Sequence, residues 1–347
     1  LVTGACFADL GHRVLMVDCD QRKIALLKAG KVSFYEPGLA ELVHQGVKKG
    51  RLRFTTSTLE GVRHGTIIFL CVGTPSRPNG EADLTAVEDV TREVAKAMRS
   101  YRLIVEKSTV PVQTGEWITR TCRLAVRRGV PVDVASNPEF LREGQAIQDF
   151  LHPDRIVLGV ESKRAQELLT TLYKPLKVPL VITDVRSAEL IKHASNSFLA
   201  MKISFINTVA QLCERVGADV VKVAEGMGLD HRIGRAFLDA GPGYGGSCFP
   251  KDVAAFVRIA EQHGVDFQLL KAAAAVNTEQ RHHLVKRITQ ILWNVNNKTI
   301  AVLGLSFKPD TDDLREAPSV EIIQMLLKEG ARIRAFDPKA MAQADGL

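Results

Sequence analysis

Short apolar runs alternate with amphipathic stretches through the first half of the chain, and this alternation predicts strands separated by helices. Residues 1–10 read as a helix, closed by Gly11, which is free to take the left-handed turn that ends helices. The run 13–18 is a short apolar strand that ends in a carboxylate, Asp18. Buried strands are predicted at 66–72, 103–107, 132–136, 155–160 and 179–183, with helices at 83–98, 115–128 and 162–172 between them. Strands alternating with helices predict a mostly parallel, doubly wound α/β sheet. Ligands of such sheets sit beyond the carboxyl ends of the strands. Thr74, Thr109 and residues 139–143 fall at those ends.

From Ser187 the period changes. Ala188, Leu190, Ile191, Ala194, Phe198, Leu199, Ile203, Ile206, Val209, Ala210 and Cys213 recur at helical spacing without an intervening Gly or Pro. One long spine helix between domains is expected. Helices from 219, from 252 and over 266–293 complete an all-helical middle section. The strand pattern returns at 299–303, followed by a helix at 319–329 and a strand at 332–337. The predicted architecture is therefore a Rossmann-like doubly wound domain over 1–184, a long central helix with an all-helical domain over 185–296, and the start of a second Rossmann-like domain over 297–347.

Composition narrows the class. Of 347 residues, 46% are hydrophobic and 24% charged, as in ordinary globular proteins. No apolar run approaches the roughly 20 residues that span a bilayer, and no basic segment followed by an apolar run marks a signal peptide. The six cysteines are scattered, with no disulfide-framework spacing, so a reducing cytoplasm fits best. A net charge of +7, spread over helices, suits anionic small substrates as well as it suits nucleic acid. His282 and His283 are adjacent and face different ways on a helix, so no metal site is indicated.

The densest chemistry lies in 241–252, Gly-Pro-Gly-Tyr-Gly-Gly-Ser-Cys-Phe-Pro-Lys-Asp. Its glycines let the backbone bend and approach a ligand closely. Cys248 stands at or just before a helix start beside Lys251, and both features favour an anionic sulfur. Asp252 is close enough in sequence to act as a base or to orient water; the plainer alternative is a glycine turn with a buried thiol. Asp18 suits the ribose hydroxyls of a dinucleotide, or simply caps the next helix. Lys192 and Asn196 lie four apart and share a helix face, aimed into a site or lining a solvated edge. The loop after 299–303 offers Lys308 to a second nucleotide, unless its acidic run is only a solvated turn.

Taken in order, 35–39, 72–75, 107–111, 137–144, Lys192 with Asn196, 241–252 and 307–316 resemble the UDP-glucose/GDP-mannose dehydrogenase family of nucleotide-sugar 6-dehydrogenases across essentially the whole chain. The Gly-Gly-Ser-Cys form of the loop favours the UDP-glucose enzymes; GDP-mannose and UDP-N-acetylhexosamine 6-dehydrogenases are the alternatives, as is a non-catalytic nucleotide-sugar-binding fragment. The resemblance implies oxidation of a primary alcohol to a carboxylate with two NAD+, taking UDP-glucose to UDP-glucuronate. It gives Cys248 the part of the nucleophile that forms a thiohemiacetal and then a thioester. Lys192 and Asn196 would stabilise the oxyanion, and Asp252, with a water held by Thr109, would move protons; Glu143 would lie near the nicotinamide and that water. For the cofactor it implies Asp18, Lys23, Thr74, Thr109, Glu143, Lys251 and Arg315. For the sugar nucleotide it implies Glu139, Phe140, Leu141, Lys192, Asn196, Tyr244, Gly245 and Lys308, with Arg232 lent across a homodimer built on the central helix. Neither a nucleic acid nor a membrane is an expected partner. The strand and Gly-x-Gly turn that cradle a pyrophosphate in this family would precede Leu1, so a fragment that binds NAD+ poorly is expected.

Overall fold

The apolar runs of the first half pair as strands, largely in the predicted places. In the computed structural model, which describes residues 1–345, the chain divides into two units, Leu1–Lys192 and His193–Leu347. The first unit opens with α1 (Val2–Asp9). Gly11 ends that helix at φ +104°, and the His12 amide reaches back to the Phe7 carbonyl at 3.0 Å. The chain then runs through β1 (Val14–Val17), α2 (Gln21–Lys28), α3 (Leu39–Lys48), β2 (Leu52–Thr55) and α4 (Thr58–His64). The hydrophobic pattern predicted only the first of these five; β2 forms a parallel pair with β1.

There follow β3 (Ile67–Leu70), α5 (Thr85–Ala97), β4 (Arg102–Glu106), α6 (Thr114–Ala125), β5 (Val132–Ser136), α7 (Ala146–Leu151), β6 (Ile156–Val160), α8 (Lys163–Tyr173) and β7 (Leu180–Thr183). The sheet order is β3-β4-β5-β6-β7. All neighbours are parallel except β5 and β6, so the expected mostly parallel, doubly wound α/β sheet is what forms. Period-two alternation divides its two faces. Leu103 and Val105 of β4 turn into one core, which contains Phe7, Phe150 and Leu158. Ile104, between them, turns into the other, with Val94, Met98 and Ile118. All three are fully buried, and each contributes on the order of 1.5–3 kcal/mol. Phe7 centres an aromatic cluster, with ring centroids of Phe69, Phe150 and Tyr173 at 5.5, 5.0 and 5.4 Å.

The spine helix α9 (Val185–Val216) is longer than predicted, and the division between units falls inside it, after Lys192. The second unit continues with α10 (Val220–Gly228), α11 (Phe249–Gln262), α12 (Gln268–Leu292), β8 (Thr299–Leu303), α13 (Pro318–Lys328), β9 (Arg332–Phe336) and α14 (Met341–Ala344). Helix α11 begins at Phe249, with Cys248 at its N-cap as the sequence places it, and Pro250, which lacks an N–H, is accommodated in the first turn. Strands β8 and β9 pair in parallel, and Val285 of α12 packs with Ile322 and Leu326 of α13. Among the described residues no helix is long and apolar enough to cross a membrane.

Two strands end in an aspartate, and the fold uses the two differently. Asp337, after β9, is buried; its carboxylate accepts from the Leu305, Ser306, Lys339 and Ala340 amides at 2.8, 3.1, 2.8 and 2.9 Å. Burial alone would raise its pKa, but the four N–H donors outweigh that and hold the carboxyl well below the usual range. Asp18, after β1, keeps 40% of its side chain exposed, accepts one amide (Asp20, 2.9 Å), and has Lys23 Nζ at 3.8 Å. The first acid ties two strand ends together; the second remains open to a ligand. A group with a depressed folded-state pKa contributes stability above its unfolded value and loses it as pH falls. Asp337→Asn is therefore expected to cost about 1–3 kcal/mol at pH 7, with the deficit narrowing only below about pH 3.9. Thermal unfolding across pH checks this; a deficit independent of pH would assign the loss to packing instead.

Candidate active site

In the first unit the parallel run of β3, β4 and β5 brings their C-terminal loops side by side. The Thr74 hydroxyl donates to the Thr109 carbonyl at 2.8 Å, and Ser108 Oγ donates to the Val72 carbonyl at 2.8 Å. Beyond β5, Asn137 opens the loop that carries Glu139, Phe140, Leu141 and Glu143. Its side chain donates to the Val157 carbonyl at 2.9 Å, and its Oδ1 accepts from Tyr173 at 2.5 Å and from Lys107 Nζ at 3.3 Å. Lys107 is buried, which pulls its ammonium below the usual lysine range. Lys192, on α9, is also buried; its Nζ lies 3.2 Å from Glu139 Oε1 and 5.3 Å from the Phe140 ring centroid. The other Glu139 oxygen accepts from the Leu141 amide at 2.6 Å. Glu143 is half-buried further along the same loop. Asp18 and Lys23 form a separate pair at the end of β1.

In the second unit the glycine loop is held from several sides. The Gly241 amide donates to Asn207 of α9 at 2.8 Å, while its carbonyl accepts from Gln280 of α12 at 2.9 Å. Tyr244 is buried, and Asn277 of α12 bonds both its amide and its carbonyl, at 2.7 and 3.0 Å. Arg281, one turn along α12, donates to the same carbonyl at 3.0 Å and pairs with Glu321. Gly245 passes so close to the 305–318 loop that a Cβ there would stand 2.1 Å from the Glu316 carbonyl oxygen. Gly246, at φ +81°, donates to the Arg315 carbonyl at 3.0 Å and lies against the Phe307 ring. No side chain fits at either position, so the glycines are a packing requirement of the loop.

This loop delivers Cys248 to the N-cap of α11, half-buried, with its sulfur 3.6 Å from Ser247 Oγ. The Asp252 amide donates to the Cys248 carbonyl at 2.8 Å, closing the first turn. Asp252 is only 1% exposed, and its oxygens accept from Asn196 Nδ2 at 2.6 Å and Lys251 Nζ at 2.8 Å. Burial of a carboxylate is tolerable because both oxygens are bonded. Cys248, Lys251, Asp252 and Asn196 are thus one cluster, with Tyr244 and Gly245 in the loop that leads to it. Lys308 follows Phe307, its Nζ 5.7 Å from that ring centroid. Arg315 is exposed and pairs with Asp313 at 2.6 Å. Arg232 stands apart beyond α10, 78% exposed and paired with Asp230 at 2.6 Å.

The sequence reading missed the supports. Asn277 and Arg281 sit four apart on α12 and are both buried, so polar residues on an apolar helix face were the available signal. Asn137, Lys107 and Tyr173 were visible only as parts of strand-end motifs or a helix end. The donor set suits a dinucleotide: Asp18 is the strand-terminal acid left open, where Asp337 has its carboxylate filled by backbone donors.

Family models match the chain in order. The NAD binding domain of the UDP-glucose/GDP-mannose dehydrogenase family covers residues 1–177, its central domain 186–279 and its UDP binding domain 301–347. UDP-glucose 6-dehydrogenase TuaD of Bacillus subtilis is 47% identical over 347 residues, spanning 100% of this chain and 75% of that protein. Among solved structures, a UDP-glucose dehydrogenase from the hyperthermophilic archaeon Pyrobaculum islandicum superposes with a TM-score of 0.97 at 44% identity, covering 100% of this chain and 81% of its own. GDP-mannose dehydrogenase from Pseudomonas aeruginosa gives 0.66 at 36% identity, with 100% and 80% covered. With three domain models matched in order along it, this chain belongs to the UDP-glucose/GDP-mannose dehydrogenase family.

Proposed function

We propose that the chain oxidises UDP-glucose to UDP-glucuronate in two successive two-electron steps, with Cys248 holding the intermediate aldehyde. The observation that carries this reading is Cys248 at the N-cap of α11, one turn from a buried Asp252 whose oxygens are bonded by Asn196 and Lys251. NAD+, when bound, accepts the C6 hydride in each oxidation. Asp18, with Lys23 beside it, would hold the adenosine ribose of the cofactor; Thr74, Lys251 and Arg315 are further contacts, with Thr109 and Glu143 toward the nicotinamide. The division into 1–184, 185–296 and 297–347 assigns cofactor, helical spine and sugar nucleotide to successive parts of the chain.

The chain's own groups do the rest. In the first step Asp252, with a water held by Thr109, takes the proton of the C6 hydroxyl. Asp252 passes that proton on to solvent through the water, and the Cys248 sulfur, as the thiolate, then adds to the aldehyde carbon; a C–S bond forms and the carbonyl pair moves onto oxygen. The Lys192 ammonium and the second N–H of Asn196, whose first is given to Asp252, stabilise that oxyanion. The thiohemiacetal keeps the C6 hydrogen, and its oxyanion collapses to a carbonyl as the hydride leaves, giving a thioester; a bare aldehyde could lose that hydride only as a high-energy acylium ion. Water adds to the thioester, its proton passes to Asp252, the C–S bond breaks, and the carboxylate is released. Glu139, Phe140, Leu141, Tyr244, Gly245 and Lys308 would bind the sugar nucleotide, and the exposure of Arg232 suits a contact to a neighbouring copy.

A homodimer through α9 is part of the proposal. Phe198, Phe205 and Leu212, seven residues apart and 57%, 52% and 59% exposed, form an apolar seam of the period that packs helix against helix. Among the described residues no cysteine is in a disulfide, which suits a reducing compartment.

Three measurements test these points. Each UDP-glucose should reduce two NAD+, and Cys248→Ser should lose complete oxidation; one NAD+ per sugar with an aldehyde product would overturn the thioester route. UDP-glucose should be turned over with the higher kcat/KM when it is compared with GDP-mannose in one assay, and the reverse preference would reassign the substrate. Phe205→Glu should yield a monomer in sedimentation, whereas an unchanged oligomer would place the interface elsewhere.

A further inference from the structure

The loop 108–115, which carries Thr109 from β4 into α6, is bracketed by two buried carboxylates. Glu106, at the end of β4, is 1% exposed; one oxygen accepts from the Ser108 amide at 2.7 Å, and the other has no hydrogen-bond partner among the described residues. Glu189, on α9, is 2% exposed and accepts from two amides at the start of α6, Gln113 and Gly115, both at 2.7 Å. Gln113 sits at φ +80°, in the left-handed region that costs a non-glycine residue on the order of 1 kcal/mol or more. A Cβ on Gly115 would stand 2.4 Å from Val185 and 3.3 Å from Glu189, so α6 and α9 are in close contact here. Helix α6 therefore starts from a strained residue, with the Glu189 carboxylate satisfying amides that a helix start leaves unbonded.

We propose that Glu189 is a positioning residue for Thr109, its carboxylate holding the first turn of α6 so that the 108–115 loop keeps the conformation that presents the threonine. The proposal rests on the reading that Thr109 takes part in the reaction. An ionised carboxylate accepts both N–H groups, whereas a carboxylic acid turns one oxygen into a donor and loses one of them. Burial is the main influence that pushes Glu189 up to about 7, against the pull of the Gly115 and Gln113 amides. The charged groups facing it are Glu116 from α6, Glu106 from β4, and Arg186 from α9 itself; Arg186 is paired with Glu116 and also feels Asp184. Glu106 is itself raised to about 8, chiefly by burial, with the Glu189 charge a smaller cause.

The sign of the linkage matters. A carboxyl whose folded-state pKa is raised binds its proton more tightly in the folded protein than in the unfolded one. As pH falls through about 7 the anchor weakens while the fold does not lose stability from this group, so acid should cost turnover before it costs structure.

The test combines a spectroscopic titration with a kinetic cycle. In the wild-type protein the backbone amide resonances of Gln113 and Gly115 should titrate together with a midpoint near pH 7. Glu189→Gln should abolish that titration, remove the acid limb of the kcat profile, and lower kcat at pH 8 by about 10- to 100-fold, with KM for UDP-glucose changed far less. In a Thr109→Ala background Glu189→Gln should have no further effect. Amide resonances that stay fixed between pH 6 and 8, or a Glu189→Gln profile like that of the wild type, would overturn the proposal while an impaired Thr109→Ala keeps the role of Thr109. A fully active Thr109→Ala would remove that role and the proposal with it. If Glu189→Gln does not fold, the Thr109 amide is followed in the same wild-type titration: it should shift together with Gln113 and Gly115, and a Thr109 resonance that stays fixed while those two titrate would overturn the proposal.

Discussion

Asp252 sets the terms for the second unit. A carboxylate this deeply buried is affordable only when its oxygens are bonded, and here one bond comes from Asn196 on α9 and another from Lys251 on α11. Those bonds fix where α11 begins relative to α9, and so where Cys248, at its N-cap, must stand. The glycine loop has to reach that point through a space already occupied by Glu316 and Phe307, which is why it carries glycine at 245 and 246. Asn277 and Arg281 then bond the Tyr244 backbone, making the approach to the thiol rigid rather than merely close. A reactive group presented on a loop needs such support, since loops otherwise carry little restraint of their own.

The first unit applies the same chemistry to a different end. Lys107, Asn137 and Tyr173 form a buried polar network beneath the 137–144 loop, and Lys192 is neutralised by Glu139 from that loop. Polar networks of this kind contribute to a fold only when their members are satisfied, and they then specify one arrangement. The two strand-terminal aspartates show how context divides identical side chains. Four amides surround Asp337, and it serves the fold; Asp18 has one amide and open solvent, and it can serve a ligand.

Much of this was legible in the chain itself. Strand–helix alternation identified the doubly wound sheet, because a strand buried on both faces must be apolar at successive positions, as Leu103, Ile104 and Val105 are. The long unbroken period from Ala188 to Cys213 revealed α9, and the crowding of Gly, Cys, Lys and Asp over 241–252 marked the loop that delivers Cys248 to a helix start. The helices expected from 162 and 219 start where Ser162 and Asp219 bond the first turns of α8 and α10, through local contacts that depend only on neighbouring residues.

What pattern could not supply were contacts between residues far apart in the chain. β2, Leu-Arg-Phe-Thr, carries an exposed Arg53 within it rather than forming an apolar run like β1 or β3, and it shows as a strand only through its parallel pairing with β1. Glu189 reads as one polar position on a long helix; its bonds to Gln113 and Gly115 bridge more than 70 residues and appear only when α6 packs against α9. Asn277 and Arg281 likewise gain their purpose from a loop more than 30 residues away. The sequence by itself determined the elements, their order and the chemistry on offer, since periodicity, capping and residue type are local properties. Which polar groups are buried, and which of them hold Cys248 and Thr109 in place, was decided by tertiary structure, because burial and its compensating hydrogen bonds arise only when distant segments pack.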